Sequence, residues 1–416
     1  MTYALGVTIF AVGILASVCL HEAGHLLTAK RFGMKATHFF AGFGPTLWSF
    51  KRGETEYGVK AIPAGGFVKI VGMTPLEEVD PADQDRAFWR FPLWQRSIVL
   101  AAGSFTHFLL AIVVFYLAAV TTGLPNPAAL GFNPTNAKPV VGQVTDCVVQ
   151  KYDIVNNDLR GCRASDPPGP AKAAGLRHGD RIVSIGGTPV STYGDVVKTV
   201  RASPPGPVDV VYVRAGARRT ATVDLVSTQR PKVGASTGKT STVSAMGVQA
   251  SYPRPVLHHS ALGGVGAATS FTGYNVTGTF KALASFPSKI PKLIDAIGGQ
   301  KRDSTTPISV VGASRIGGEA IQIGQPIFFL LLLGGLNVFI GIFNLFPLLP
   351  LDGGHVAIAW YERARSWVAA RRGKEDPGRV DYNKLLPLTY VVVLAFGGLT
   401  LLTLTADIVN PISIRQ

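Results

Sequence analysis

His21, Glu22 and His25 stand in the order His-Glu-Ala-Gly-His. Residues four apart on an α-helix lie about 40° apart around its axis, so both imidazoles project from one face and can bind one Zn²⁺. Glu22 sits beside them, placed to take a proton from an attacking water. The competing explanation is a pair of hydrogen-bonded histidines at a membrane interface. It fits poorly at the end of an apolar stretch, where a charged group at mid-depth costs about 2.5 to 3.5 kcal/mol. A catalytic zinc takes a third protein ligand and keeps one position open for water. That ligand is expected in the segment NLFPLLPLDGGH, from Asn344 to His355. Pro347, Pro350, Gly353 and Gly354 break an apolar run there, and irregular backbone at membrane depth survives only where it meets protein or lines a watery cavity. Asp352 falls in the break and is the expected third ligand. His355 competes with it, and a helix end carrying an interfacial carboxylate is the plain alternative.

These groups need elements to hold them. The chain has 416 residues, 47% of them apolar and only 16% charged, which argues against both disorder and an ordinary cytosolic enzyme. Four uncharged stretches match the roughly 20 apolar residues of a membrane-crossing helix: Thr2 to Leu20, Ser97 to Leu124, Ala320 to Leu351 and Leu385 to Ala406. No Lys or Arg precedes the first, and its charges follow at Lys30, Arg31 and Lys35, so it reads as a retained helix and not as a cleaved signal. Ten Lys or Arg lie between Lys30 and Arg96 and seven between Arg363 and Lys384. The positive-inside rule therefore puts both loops in the cytoplasm, with both termini and the long segment near 125–320 outside. The formal net charge of +15 is accounted for beside membrane helices. No basic groove interleaved with aromatics is present, which argues against nucleic acid as a partner.

Between Thr37 and Gly72, short runs rich in aromatic and β-branched residues alternate with Gly and Pro, which predicts a small sheet on the cytosolic side. A second β-rich stretch from about Pro139 to Val226 has the size of a compact module. From Ser227 to about Ser251, Ser, Thr, Gly and Lys predominate and predict a linker. Leu257 to Ile297 carries intermittent helical periodicity and is expected to lie against the membrane surface. Cys147 and Cys162 fall in the outside module, where a disulfide is chemically permitted; two buried free thiols are the other reading.

HExxH in the first of four spans, together with N-x-x-P-x-x-P-L-D-G-G in the third, resembles the site-2 protease family of intramembrane zinc metalloproteases. Within it the likeness is to the regulator of sigma-E protease type, with the single outside module of mycobacterial-like members. Gly42-Phe43-Gly44-Pro45, Pro63 to Met73 and the entry to the second span from Phe91 to Arg96 add to the resemblance. The stretch PAKAAGLRHGDRIVSIGGTPV from Pro170 resembles the PDZ domains of these proteases. One departure stands out: where the family has G-P-x-x-N in the second span, this chain has Gly103-Ser104-Phe105-Thr106-His107.

The resemblance implies a polytopic α-helical membrane protein with four transmembrane helices, a small membrane-associated cytosolic β-sheet and one extracytoplasmic PDZ-like α+β domain. The expected boundaries are 1–29 for the first span, 30–96 for the cytosolic loop and sheet, 97–124 for the second span and 125–226 for the PDZ-like domain. They continue with 227–319 for the linker and surface helix, 320–358 for the third span, 359–384 for the basic loop and 385–416 for the last span. The implied protein is a zinc endopeptidase of the bacterial plasma membrane. It would cleave single-span membrane proteins such as anti-sigma factors, with Zn²⁺ on His21, His25 and Asp352 and Glu22 as base. Asn344 is expected to position substrate or stabilise the oxyanion. The stretch Gly66, Phe67, Val68, Lys69, Ile70 and Val71 is expected to pair with unwound substrate, and the PDZ-like domain to take a peptide ligand. A membrane metal transporter and a catalytically silent PDZ scaffold are the alternatives. A transporter has no need of Glu22 as a base, and a scaffold has no need of the broken third span.

Overall fold

The computed structural model describes residues 2–74, 77–150, 161–231 and 240–414. The chain forms two compact units, one of residues 1–124 with 258–416 and one of residues 125–257.

In the first unit, α1 (Thr2–Phe32) is followed by β1 (Ala36–Arg52) and β2 (Thr55–Ile70), and then by α2 (Leu93–Thr121). β1 and β2 are long strands that bend back on each other. Phe40 pairs with both Gly58 and Phe67, so segments 46–52, 55–60, 38–41 and 66–70 lie side by side in that order. The last of these is an edge. Gly42 and Gly44 adopt φ of +91° and +82° where β1 bends, a conformation that glycine reaches without a steric penalty. Leu26, Ala29, Met34, Ala36, Ile70, Phe88, Val99 and Leu100 form one buried cluster that ties the sheet to the end of α1 and the start of α2.

Four helices among the described residues are long and apolar enough to cross a membrane: Thr2–Phe32, Leu93–Thr121, Pro326–Asn344 and Tyr382–Val409. They turn large apolar side chains outward, with Leu27, Phe105 and Leu394 exposed by 66%, 68% and 74%. That surface suits lipid, because helices satisfy their own backbone polar groups in hydrocarbon.

The break at 345–351 falls in the segment whose prolines and glycines predict it, and a second break at 323–325 was not expected, so the stretch 320–358 takes in parts of three helices, numbered below after those of the second unit. The segment 257–297, expected at the membrane surface, contains a 25-residue helix, Ala261–Ser285, packed on its neighbours. Ala268 and Phe271 join Phe115, Ala119 and Val338 in a buried cluster, and a Cβ at Gly264 would come within 2.9 Å of Val120. Small residues on that face let the helix approach closely, a packing device that hydropathy alone does not reveal.

In the second unit, β3 (Val141–Val144) precedes β4 (Arg181–Ile185), α3 (Tyr193–Ala202), β5 (Gly206–Arg214), β6 (Ala217–Pro231), β7 (Thr240–Ala245) and β8 (Val248–Ala250). The short strand Thr188–Pro189, β4, β5, β6 and β7 form one antiparallel sheet in that order, and β8 pairs with β3. Ile182, Ile185, Val196, Val210, Val223 and Leu225 fill the core. The expected linker after Ser227 is partly strand, since β6 runs to Pro231 and pairs with β7 from Val226–Ala245 to Pro231–Thr240. Thr and Ser suit a half-buried strand as well as a loop, and Ser244 is buried with its hydroxyl donating to the Ser203 carbonyl. Residues 232–239 of that linker lie outside the described residues. Cys147 and Cys162 are joined by a disulfide, with Cα atoms 5.9 Å apart.

Asp180 anchors this unit. It is fully buried and accepts from Arg214 Nε and Nη2 and from the Arg177 N–H, each at 2.7 Å. Burial alone would raise its pKa, but the Arg214 hydrogen bonds, the Arg177 N–H and the nearby positive charge together hold it below the ordinary carboxylate value. A depressed folded pKa gives stability that is full above the unfolded value of about 3.9 and lost as pH falls through the folded one. Asp180→Ala is expected to cost about 1.5–3 kcal/mol, as for hydrogen bonds to a charged partner. Thermal unfolding of the full chain from pH 6 to pH 3 checks both points: the wild type should lose midpoint below about pH 4, and the variant should lose less over that interval.

Candidate active site

The helices of the first unit after the second unit are α4 (Ala261–Ser285), α5 (Ile290–Ile297), α6 (Val310–Gln322), α7 (Pro326–Asn344), α8 (Asp352–Arg371) and α9 (Leu386–Val409). The site is built from the last turns of α1, the broken segment between α7 and α8, the first half of α2 and the edge of β2.

On α1, His21 and His25 are buried on one face, 6% and 4% exposed. Their Nε2 atoms are 3.1 Å apart. His25 Nδ1 lies 2.6 Å from the Val99 carbonyl of α2. A carbonyl only accepts, so Nδ1 carries the proton and Nε2 keeps a free lone pair, the arrangement a metal-binding imidazole needs. Two glycines allow the helices to close on these rings. A Cβ at Gly24 would fall 2.8 Å from the Ala102 carbonyl, and one at Gly103 would press on both imidazoles.

Asp352 is the first residue of α8. Leu345 to Leu351 carry the chain from α7 without regular structure, and the Leu349–Pro350 bond is cis. Gly353 and Gly354 let α8 start against this segment, since a Cβ at Gly354 would lie 2.6 Å from the Leu348 carbonyl carbon. A carboxylate in the first turn is also favoured by the helix dipole. Asp352 Oδ2 lies 3.3 Å from His21 Nε2 and 3.3 Å from His25 Nε2. The three donor atoms are within 4.8 Å of one another.

This set fits a zinc ion. Bonds of about 2.0–2.1 Å to nitrogen and oxygen in a tetrahedral site put neighbouring donors about 3.3 Å apart. The observed separations are 3.1, 3.3 and 3.3 Å. Asp352 Oδ2 is buried without a hydrogen bond, which is costly for a carboxylate oxygen with only protein around it.

Glu22 points toward the sheet. Its Oε2 accepts from the Val68 N–H at 3.0 Å, and a Cβ at Gly66 would lie 3.5 Å from its Cγ. Val68 pairs with Phe39 on one side, so this N–H faces out from the edge of the sheet. The stretch Gly66 to Ile70 is therefore an edge segment beside Glu22, and Val71 turns away, its N–H donating to the Lys35 carbonyl at 2.9 Å.

The remaining singled-out residues are placed differently. His355 Nδ1 lies 3.2 Å from the Tyr382 hydroxyl, outside the three-donor cluster. Asn344 ends α7 half-buried. His107 is buried, its ring centroid 5.0 Å from that of His21 and its Nδ1 2.9 Å from Asn337 Oδ1. Asn337 was not anticipated, although a carboxamide inside the apolar third span was a signal available in the sequence. The Val99 carbonyl and the Val68 N–H were not anticipated either, because backbone groups carry no residue-type signal.

The sequence pattern of peptidase family M50 matches residues 9–379. The chain belongs to peptidase family M50. This M50 peptidase is 46% identical over 418 residues, the whole of both chains, to zinc metalloprotease Rip1 of Mycobacterium bovis (strain BCG / Pasteur 1173P2). It is 43% identical over 420 residues, again the whole of both, to zinc metalloprotease Rip1 of Mycolicibacterium smegmatis. A more distant relative, zinc metalloprotease RasP of Geobacillus kaustophilus, is 26% identical over 92% of this chain and 95% of its own.

Proposed function

We propose that this protein is an intramembrane zinc endopeptidase that cleaves single-span membrane proteins within or near the bilayer. The observation that carries the reading is a carboxylate, Glu22, held by a sheet-edge N–H beside a buried His-His-Asp donor set. Membership of a peptidase family whose relatives are named zinc metalloproteases supports it.

His21, His25 and Asp352 would hold the metal. A bound Zn²⁺ would supply Lewis acidity, polarising a carbonyl oxygen and bringing the pKa of water down to about 7. Glu22 takes a proton from the attacking water and returns it to the leaving amine. A helical substrate hides its peptide bonds in internal hydrogen bonds and must unwind before attack. The edge segment Gly66 to Ile70 offers the unwound backbone replacement partners, one N–H of which already faces the base. Asn344 is assigned to positioning substrate or stabilising the oxyanion.

Substrates of this class include anti-sigma factors, so cleavage would change transcription from the membrane. The protein is placed in the bacterial plasma membrane with both termini and the PDZ-like unit outside and the basic loops inside. Cysteine labelling at positions 60, 218 and 373 tests that orientation, 218 being an exposed position of the second unit: 60 and 373 should be protected from an impermeant reagent in intact cells and 218 should react. Labelling of 60 together with protection of 218 would reverse the orientation.

The function is tested on purified full-length protein in proteoliposomes with a single-span reporter. Treatment with a chelator such as 1,10-phenanthroline should stop cleavage and stoichiometric Zn²⁺ should restore it, since bound metal ligands of this type release their ion on chelation. Cleavage that continues after the protein has been stripped of metal would refute the zinc peptidase reading.

A further inference from the structure

The two imidazoles of the donor set are not held alike. His25 Nδ1 lies 2.6 Å from the Val99 carbonyl, whereas His21 Nδ1 is buried with no hydrogen-bond partner among the described residues. An imidazole that binds metal through Nε2 carries its proton on Nδ1, and in metal sites that N–H is almost always given to an acceptor, which fixes the tautomer and the ring's orientation. His21 therefore needs an acceptor at its Nδ1 edge, because an unpaired buried donor is costly.

His107 stands at that edge. Gly103 of α2 faces His21 there, since a Cβ at Gly103 would fall 2.7 Å from His21 Nδ1. His107 is one turn further along α2, and side chains on a helix lean toward its N-terminus, so the His107 ring covers the patch beside Gly103. Its centroid is 5.0 Å from that of His21, which brings the facing ring edges into contact.

The tautomer of His107 is set from its other side. Asn337 Nδ2 donates to the Leu333 carbonyl of its own helix at 2.9 Å, which leaves Oδ1 as the end that faces His107 Nδ1, also at 2.9 Å. That oxygen only accepts, so His107 Nδ1 carries the proton and Nε2 keeps its lone pair. The ring beside the unpartnered donor of His21 is thus a fixed acceptor. His107 and Asn337 are each 1% exposed inside apolar spans, a costly place for polar groups that only pack.

We infer that His107, held in one tautomer by Asn337, accepts a hydrogen bond from His21 Nδ1–H and so positions that imidazole to bind zinc through Nε2. It is a positioning residue, outside the three converging donors. The inference deepens the zinc reading and rests on it, since a metal on His21 Nε2 is what keeps the proton on Nδ1.

Zinc affinity of detergent-purified full-length protein, measured without substrate by competition against a chelator of known affinity, tests it. His107→Leu, close to histidine in size but without an acceptor, should bind zinc about 10–100-fold more weakly than the wild type, the usual cost of removing such a partner. His107→Gln, whose carbonyl oxygen can stand where Nε2 does, should lose less. Asn337→Leu leaves both histidines in place but frees the His107 proton to move to Nε2, and it should also weaken zinc binding. A packing role predicts the reverse order for the two His107 variants, because Leu fills an apolar interface better than Gln. Wild-type affinity in His107→Leu or in Asn337→Leu, or a Gln variant that binds zinc no better than the Leu variant, would overturn the inference. Failure of the underlying reading looks different: a wild type that binds no zinc, or a His21→Ala variant that binds it as tightly as the wild type, would remove His21 as a ligand and this inference with it.

Discussion

Glu22→Gln is expected to lower the rate of reporter cleavage by about 10²–10⁴, the contribution of a positioned general base, while the protein keeps its metal. The geometry separates the two effects. Glu22 is not one of the three converging donors, so its loss removes no ligand. A Gln carbonyl oxygen can still accept from the Val68 N–H, which lies 3.0 Å from Oε2, so the side chain keeps its place beside the sheet edge. Only the capacity to take a proton disappears. Metal analysis and single-turnover cleavage on the same preparation check the prediction. A variant that retains zinc and cleaves at the wild-type rate would remove Glu22 from the reaction. A variant that loses zinc would mean that the carboxylate contributes to the ion's site.

The parts of this site that could be read from the sequence are those whose geometry follows from local rules. His21 and His25 share a face because helical periodicity puts them there, and a long apolar run predicts the helix. Asp352 was singled out because two prolines and two glycines interrupt a span where an interruption is costly. The structure supplies a further reason for the glycines: α8 begins in contact with Leu345 and Leu348, where a Cβ would not fit. Tertiary partners were not legible. The Val99 carbonyl that orients His25 and the Val68 N–H that holds Glu22 are backbone groups 74 and 46 residues away from the side chains they meet. Composition misled the linker assignment, because Thr240 to Ala245 has loop-like residues but pairs with β6 and buries Ser244.

The sheet and the metal-binding side chains depend on one another. The cluster around Ile70, Val99 and Leu100 ties β2 to α2, and Val99 is also the residue whose carbonyl holds His25. A shift of β2 would therefore act on Glu22 directly and on His25 through α2. In the proposed mechanism this coupling would give the edge segment two roles, partner for an extended backbone and support for Glu22.

Asp352→Ala is expected to release most of the bound zinc, and cleavage with it, whereas His355→Ala should leave zinc content nearly unchanged. Asp352 Oδ2 is equidistant from the two imidazole nitrogens, 3.3 Å from each, and its anionic oxygen offsets part of the Zn²⁺ charge in a poorly solvated site. Removing it leaves two neutral nitrogen donors, too few for a catalytic zinc site with three protein ligands. His355 is turned to Tyr382, with ring centroids 5.9 Å apart and Nδ1 3.2 Å from the hydroxyl, so its loss removes a contact of α8 and no donor of the cluster. Asp352→Glu keeps the charge but lengthens the side chain by one methylene, and it should retain some zinc at lower affinity. Equilibrium competition against a chelator of known affinity, run on all three variants without substrate, measures these differences apart from catalysis. Zinc that survives Asp352→Ala but is lost with His355→Ala would assign the third ligand to His355 and require α8 to rotate about its axis when metal binds.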